Sequence, residues 1–177
     1  MAYLSPVIPG LDFTYQYTGI RPIHNNLPLE PSPCTLWDFL VQNKDEFRLY
    51  KFLVEMAEFT NRYNDVQLDN TVFIPTDKSI LQVYNENMIL NMGQNQAIKI
   101  LKYNSLNRKI SIKELSSSES MKLKTRVRGQ VIYTNSEHGT IRLIGDVGQT
   151  VRIMRGDIIV NNALIHITDT FLLPEMV

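Results

Sequence analysis

Few side chains in this sequence are of kinds that do chemistry, and their spacing keeps them apart. The histidines His24, His138 and His166 are scattered, and none has a Ser, Cys or Asp at a spacing that suggests a triad or a metal site. His166 stands inside a long apolar run and reads as a hydrogen-bonded core histidine. Cys34 is the only cysteine, so no internal disulfide can form. A thiol beside a helix start can have a lowered pKa, but without a visible base Cys34 reads as a small packed residue. Gly145-Asp146-Val147-Gly148 reads as a hairpin turn, not as a phosphate cradle. The expectation is a chain that is not an enzyme and takes no cofactor and no metal.

Two features could serve recognition instead. Arg155-Gly156-Asp157 is the tripeptide that integrin-binding proteins present on exposed turns, a cation and a carboxylate separated by Gly. Charge is the second. The total is balanced, 18 basic against 18 acidic side chains, so net charge points to no nucleic-acid or membrane partner. Yet the stretch from Lys99 to Arg128 is strongly cationic and holds only Glu114 and Glu119 as acids. Lys122, Lys124, Arg126 and Arg128 alternate with Leu123, Thr125 and Val127, so a strand would line four cations on one face. A solvated edge strand guarded by charge is the preferred reading. The alternative is a face for a polyanion or an acidic partner. No aromatic interleaves, so base stacking is not expected.

The elements that must position these residues fall into two parts. Residues 1–31 form an extended arm rich in proline (Pro6, Pro9, Pro22, Pro28 and Pro31), which excludes helix. Within it Leu11, Phe13, Tyr15 and Tyr17 alternate with polar residues, a strand pattern with one apolar face. That face either packs back on its own domain or adds a strand to a neighbour. The first cation is Arg21, and no apolar run marks a leader or a membrane span. The expectation is synthesis and residence in a reducing compartment, without membrane insertion.

Residues 32–177 form the domain. Thr35 caps a first helix, and a second runs from Asn43 to about Asn61. Thr76 caps a short helix, another covers Gln94 to Tyr103, and a single turn covers Ser111 to Leu115. Beyond Met121 the pattern has period two. Gln130–Thr134 and Thr140–Ile144 flank a five-residue turn, Gln149–Met154 is a strand, and Asp157–Val160 leads into the last strand. The two most apolar segments are Thr71–Pro75 and Ala163–Pro174. They are expected side by side as inner strands.

The same two segments carry a family likeness. Thr71-Val72-Phe73-Ile74-Pro75-Thr76-Asp77 resembles the first signature of the fasciclin-type adhesion domain. Asn161-Asn162-Ala163-Leu164-Ile165-His166-Ile167-Thr168-Asp169 with Leu172-Leu173-Pro174 resembles its second. The Thr35-Leu36-Trp37-Asp38 start fits as well, so the likeness spans about residues 32 to 174. Asn162 stands where Gly is common, and Asn104 departs from a Tyr-His pair to which an adhesion role is attached. The resemblance implies an α+β fold, a fasciclin-like wedge whose β-sandwich-like core carries several packed helices. It implies a structural role for His166. It also puts Asp157-Ile158 in the loop before the last strand, where family members contact integrins.

Together these features point to a non-enzymatic protein–protein interaction or adhesion module, a structural component or adaptor of a larger assembly. A minor capsid or cement protein of a large virus is one such setting. Its partners would be proteins, met through the N-terminal arm and the 155–158 loop, with no specific nucleic acid. The alternative is an extracellular adhesion protein that binds an integrin through Arg155-Gly156-Asp157.

Overall fold

The computed structural model of the chain describes residues 34–161 and 163–175, together with the backbone of Tyr15–Gln16. The helices are α1 (Leu36–Gln42), α2 (Lys44–Met56), α3 (Thr60–Tyr63), α4 (Asp77–Leu81), α5 (Glu86–Leu90), α6 (Gln94–Tyr103) and α7 (Ile112–Ser116). The strands are β1 (Tyr15–Gln16), β2 (Thr71–Pro75), β3 (Ser105–Leu106), β4 (Ser120–Lys124), β5 (Val131–Glu137), β6 (Thr140–Ile144), β7 (Thr150–Val160) and β8 (Ala163–Thr168).

Capping explains where the helices begin. Thr35 and Asp38 form a reciprocal box on α1, each side chain accepting the other's backbone N–H at 3.0 Å. Inside α2 the backbone leaves helical geometry at Phe47 (φ −124, ψ 31), which strands the next N–H groups. Asp77 accepts them, from Arg48 at 3.2 Å and from Leu49 at 2.8 Å. The residue that closes the first signature is therefore the cap of a helix far upstream. The second helix is shorter than its apolar stripe implies. It ends at Met56, Glu58 takes φ 58, and α3 restarts the helix. Asn85 caps α5, a turn the sequence reading passed over, by accepting from the Asn87 N–H.

The strands form one path, β3-β2-β8-β7-β6-β5-β4. Its ends come together: Leu106 bridges Thr125, and the Arg126 N–H donates to the Ser105 carbonyl at 3.0 Å. The sheet is thus nearly closed into a barrel. As expected, β2 and β8 lie side by side, parallel and in register from Thr71–Leu164 to Pro75–Thr168. Every residue of both strands is buried. Two buried faces account for their unbroken apolar runs, since a half-solvated strand would alternate. On one face Val72, Ile74, Ile165 and Ile167 join Phe39, Leu53 and Ile100 of the helices. On the other, Phe73 joins Tyr103, Ile132, Leu143 and Val151 inside the barrel.

Three strand expectations change. The β5–β6 hairpin turns on His138 and Gly139 alone, with φ 50 and 76, so Asn135 to Glu137 stay paired. Two positive φ values suit the twist of a two-residue hairpin, and Gly supplies one without steric cost. The cationic strand stops at Lys124, and Arg126 and Arg128 follow in a turn. Finally, Arg155-Gly156-Asp157 is not in a loop. It lies within β7, where two register shifts against β8 absorb the extra residues as bulges.

Candidate interaction surface

The bulge in β7 is built from residue-level constraints. A Cβ on Gly156 would overlap Ile112 Cγ1, so only glycine lets α7 sit this close. Asp157 adopts φ 55 and is 6% exposed. Its Oδ1 accepts the Ile112 N–H at 2.9 Å, so it satisfies the first turn of α7. Its own N–H donates to His166 Nδ1 at 3.1 Å. With Nδ1 accepting, the His166 proton sits on Nε2, which donates to the Ile110 carbonyl at 2.7 Å. Burial lowers the His166 pKa, so the ring is neutral. Thr71 works beside it, accepting the Ile110 N–H at 2.9 Å and donating to the Arg108 carbonyl at 2.7 Å. Both signature strands thereby hold the 108–112 segment. Arg155 turns to Glu46 on α2. The cation and carboxylate of the triplet are spent inside the fold, not offered on an exposed turn. Ile158 is buried in the helix-side core.

The arm meets the same strand. β1 pairs with β7 in parallel, Tyr15 opposite Ile158 and Gln16 opposite Ile159. Ile158 and Ile159 also face Ile165 and Leu164 of β8, so β1 occupies the other edge of β7. That edge carries β6 further back, from Thr150 to Arg152. Among the described residues none pairs with that edge between β6 and β1, and a cleft of about 250 Å³ lies there, lined by Thr140, Ile141, Met154, Arg155 and Gly156 among others. Leu11, Phe13 and Tyr17, expected on the apolar side of the arm, lie outside the described residues.

The cation series divides. Lys122 and Lys124 are exposed on β4, the last strand of the path. Arg126 is half-buried, its Nη1 2.9 Å from the Asn70 side-chain amide. Arg128 is exposed in the following turn. The cations that do share a face with Lys122 and Lys124 are Arg142 and Arg152, from β6 and β7, and Tyr133 of β5 lies among them. The sequence reading missed these three. The alternation was legible, but only the register of two hairpins brings the rows together.

Residues 45–174 match the Fasciclin domain. The chain belongs to the fasciclin domain family. Among solved structures, a FAS1 domain pair from the insect cell adhesion molecule fasciclin I is similar, with a TM-score of 0.67 and 21% identity. The match covers 80% of this chain and 51% of that one, so the chain spans about half of the pair. No curated protein is a match.

In this fasciclin domain the pair Tyr103-Asn104 is internal. The Tyr103 hydroxyl donates to the Val131 carbonyl at 3.1 Å and accepts the Asp146 N–H at 2.9 Å. Asn104 grips the Leu172 backbone twice, donating to its carbonyl at 2.8 Å and accepting its N–H at 3.0 Å. The position thus ties α6 to the Leu172-Leu173-Pro174 end of the second signature. Cys34 is buried, and burial together with Asp38 pushes its thiol up to about 12, the reverse of activation. Among the described residues no cluster of His, Cys, Asp and Glu could hold a metal, and no helix is long and apolar enough to cross a membrane.

Proposed function

We propose that this fasciclin domain is a non-enzymatic protein-interaction module, a structural component or adaptor of a larger assembly, whose N-terminal arm is shared with neighbours. What carries the reading is the parallel addition of β1 to β7 at Ile158–Ile159. Strand addition draws affinity from main-chain hydrogen bonds and specificity from alternate side chains. Among the described residues two pairs join β1 to β7, and a strand that enters from a terminal arm is one that can be given to another subunit. The likeness to a cell adhesion molecule supports a gluing role. A minor capsid or cement protein of a large virus is one such setting, in which an arm-bearing adhesion fold joins neighbours. No observation favours integrin binding, because the Asp157 carboxylate is occupied by Ile112 and Arg155 by Glu46.

Sedimentation velocity tests the reading. The full chain associates as its concentration rises, whereas Tyr15→Pro/Gln16→Pro, which removes whichever of the two successive N–H groups faces β7, sediments as a folded monomer. A full chain that is monomeric at every concentration, or association that persists in the double variant, counts against it.

A further inference from the structure

The outer face of β4 to β7 carries cations that the fold pairs only in part, with Glu137 at one end as the acid in its paired rows. Cross-strand register puts Lys122, Tyr133, Ile144 and Thr150 in one row, and Ser120, Asn135, Arg142 and Arg152 in the next. Lys124 and Val131 begin a third. The opposite face of these strands fills the barrel with Leu123, Ile132, Leu143 and Val151. Arg142 therefore lies directly across from Arg152, and like charges so placed weaken a sheet. Arg152 has Asp169 at 3.8 Å. Among the described residues, no carboxylate comes within ion-pair distance of Lys122, Lys124 or Arg142. Edge protection accounts for the lysines, since β4 ends the path. It does not account for Arg142 and Arg152, which sit on inner strands. Among these cations Tyr133 leaves 41% of its surface in water.

We propose that this face docks an acidic polypeptide segment of a partner protein. Its carboxylates meet Lys122, Lys124 and Arg142, and an apolar side chain between them covers Tyr133. Strand geometry sets the spacing: Lys122 and Lys124 are about 7 Å apart along β4, and Lys122 and Arg142 are about 12 Å apart, two strands across and two residues along. Single-stranded nucleic acid fits less well. It needs successive aromatic platforms, and Tyr133 is the one ring in these rows. The surface is distinct from the β7 edge, so either docking mode can fail alone.

The test uses the full chain and three fluorescein-labelled probes, read by anisotropy at low and at physiological salt. They are a nonapeptide alternating Glu with Ser around a central Phe, the same peptide with Gln for Glu, and a nine-residue oligothymidylate. The acidic peptide binds about tenfold more tightly than either control, and salt weakens it. Arg142→Gln/Lys122→Gln lowers its affinity about tenfold, and Tyr133→Ser lowers it independently. Thermal midpoints of the charge variants stay level or rise, because a repulsive pair is relieved. The exposed pair Lys122→Gln/Lys124→Gln gives the same loss without touching the core. Equal binding of the acidic and Gln peptides, tighter oligothymidylate binding, no binding at all, or affinity indifferent to the Gln variants overturns the proposal.

Discussion

His166 has the chemistry of a general base and none of the opportunity. Both ring nitrogens are bonded to backbone groups, and the side chain is fully buried. That fate was legible from the apolar run around it. Its partners were not, because Ile110 and Asp157 come from other segments and only the fold brings them in. Replacing His166 with Ala strands the Ile110 carbonyl and the Asp157 N–H in the core, and urea unfolding should record a loss of about 3 kcal/mol. The pH dependence has a definite sign. Burial, the largest cause, holds the folded pKa below the ordinary 6.5, against the opposing pull of the Ile110 bond and the Asp157 charge. The unfolded chain therefore binds the proton more readily. The stabilisation is complete above 6.5 and is lost as pH falls from there toward the folded value. Unfolding free energy measured from about pH 7.5 down to about pH 5 should decline in the full chain. The decline should be shallower in His166→Asn, which keeps His24 and His138.

At the scale of elements, the caps were readable and the interruptions were not. Thr35 and Thr76 cap helices as their residue types imply, while Ser111, expected inside its turn, is the cap of α7. The break at Phe47 escaped because the apolar stripe continues through it, and its compensation comes from Asp77, beyond β2. Asp77→Ala should cost about 1–2 kcal/mol. Hydrogen exchange should show the early α2 amides of Arg48 and Leu49 opening sooner, while β8 amides keep their protection. Equal protection of Arg48 and Leu49 in the variant would mean that the kink needs no cap. The bulge in β7 was hidden for a related reason. Arg-Gly-Asp has the composition of a turn, and only the close approach of Ile112 and the cap on α7 show why it is held in a strand.

For the whole molecule, the pairing of β2 with β8 was open to inference because strands buried on both faces leave an unmistakable apolar run. Closure of the sheet between Leu106 and Thr125, and the cationic rows outside it, depend on registers that no local pattern encodes. The same holds for the arm: its alternation marks a strand, while its place on β7 is a fact of tertiary structure. A role in assembly requires that this strand be shareable between chains. Gln16 and Ile159 are direct neighbours across the parallel pair, a separation suited to a disulfide. Cys34, buried and with its thiol pushed up to about 12, does not compete. The decisive measurement oxidises an equal mixture of isotope-labelled and unlabelled Gln16→Cys/Ile159→Cys chains and weighs the cross-linked peptides. Arms given to neighbours yield peptide pairs that join a labelled chain to an unlabelled one; pairs of matched label only would place each arm on its own domain and contradict the account.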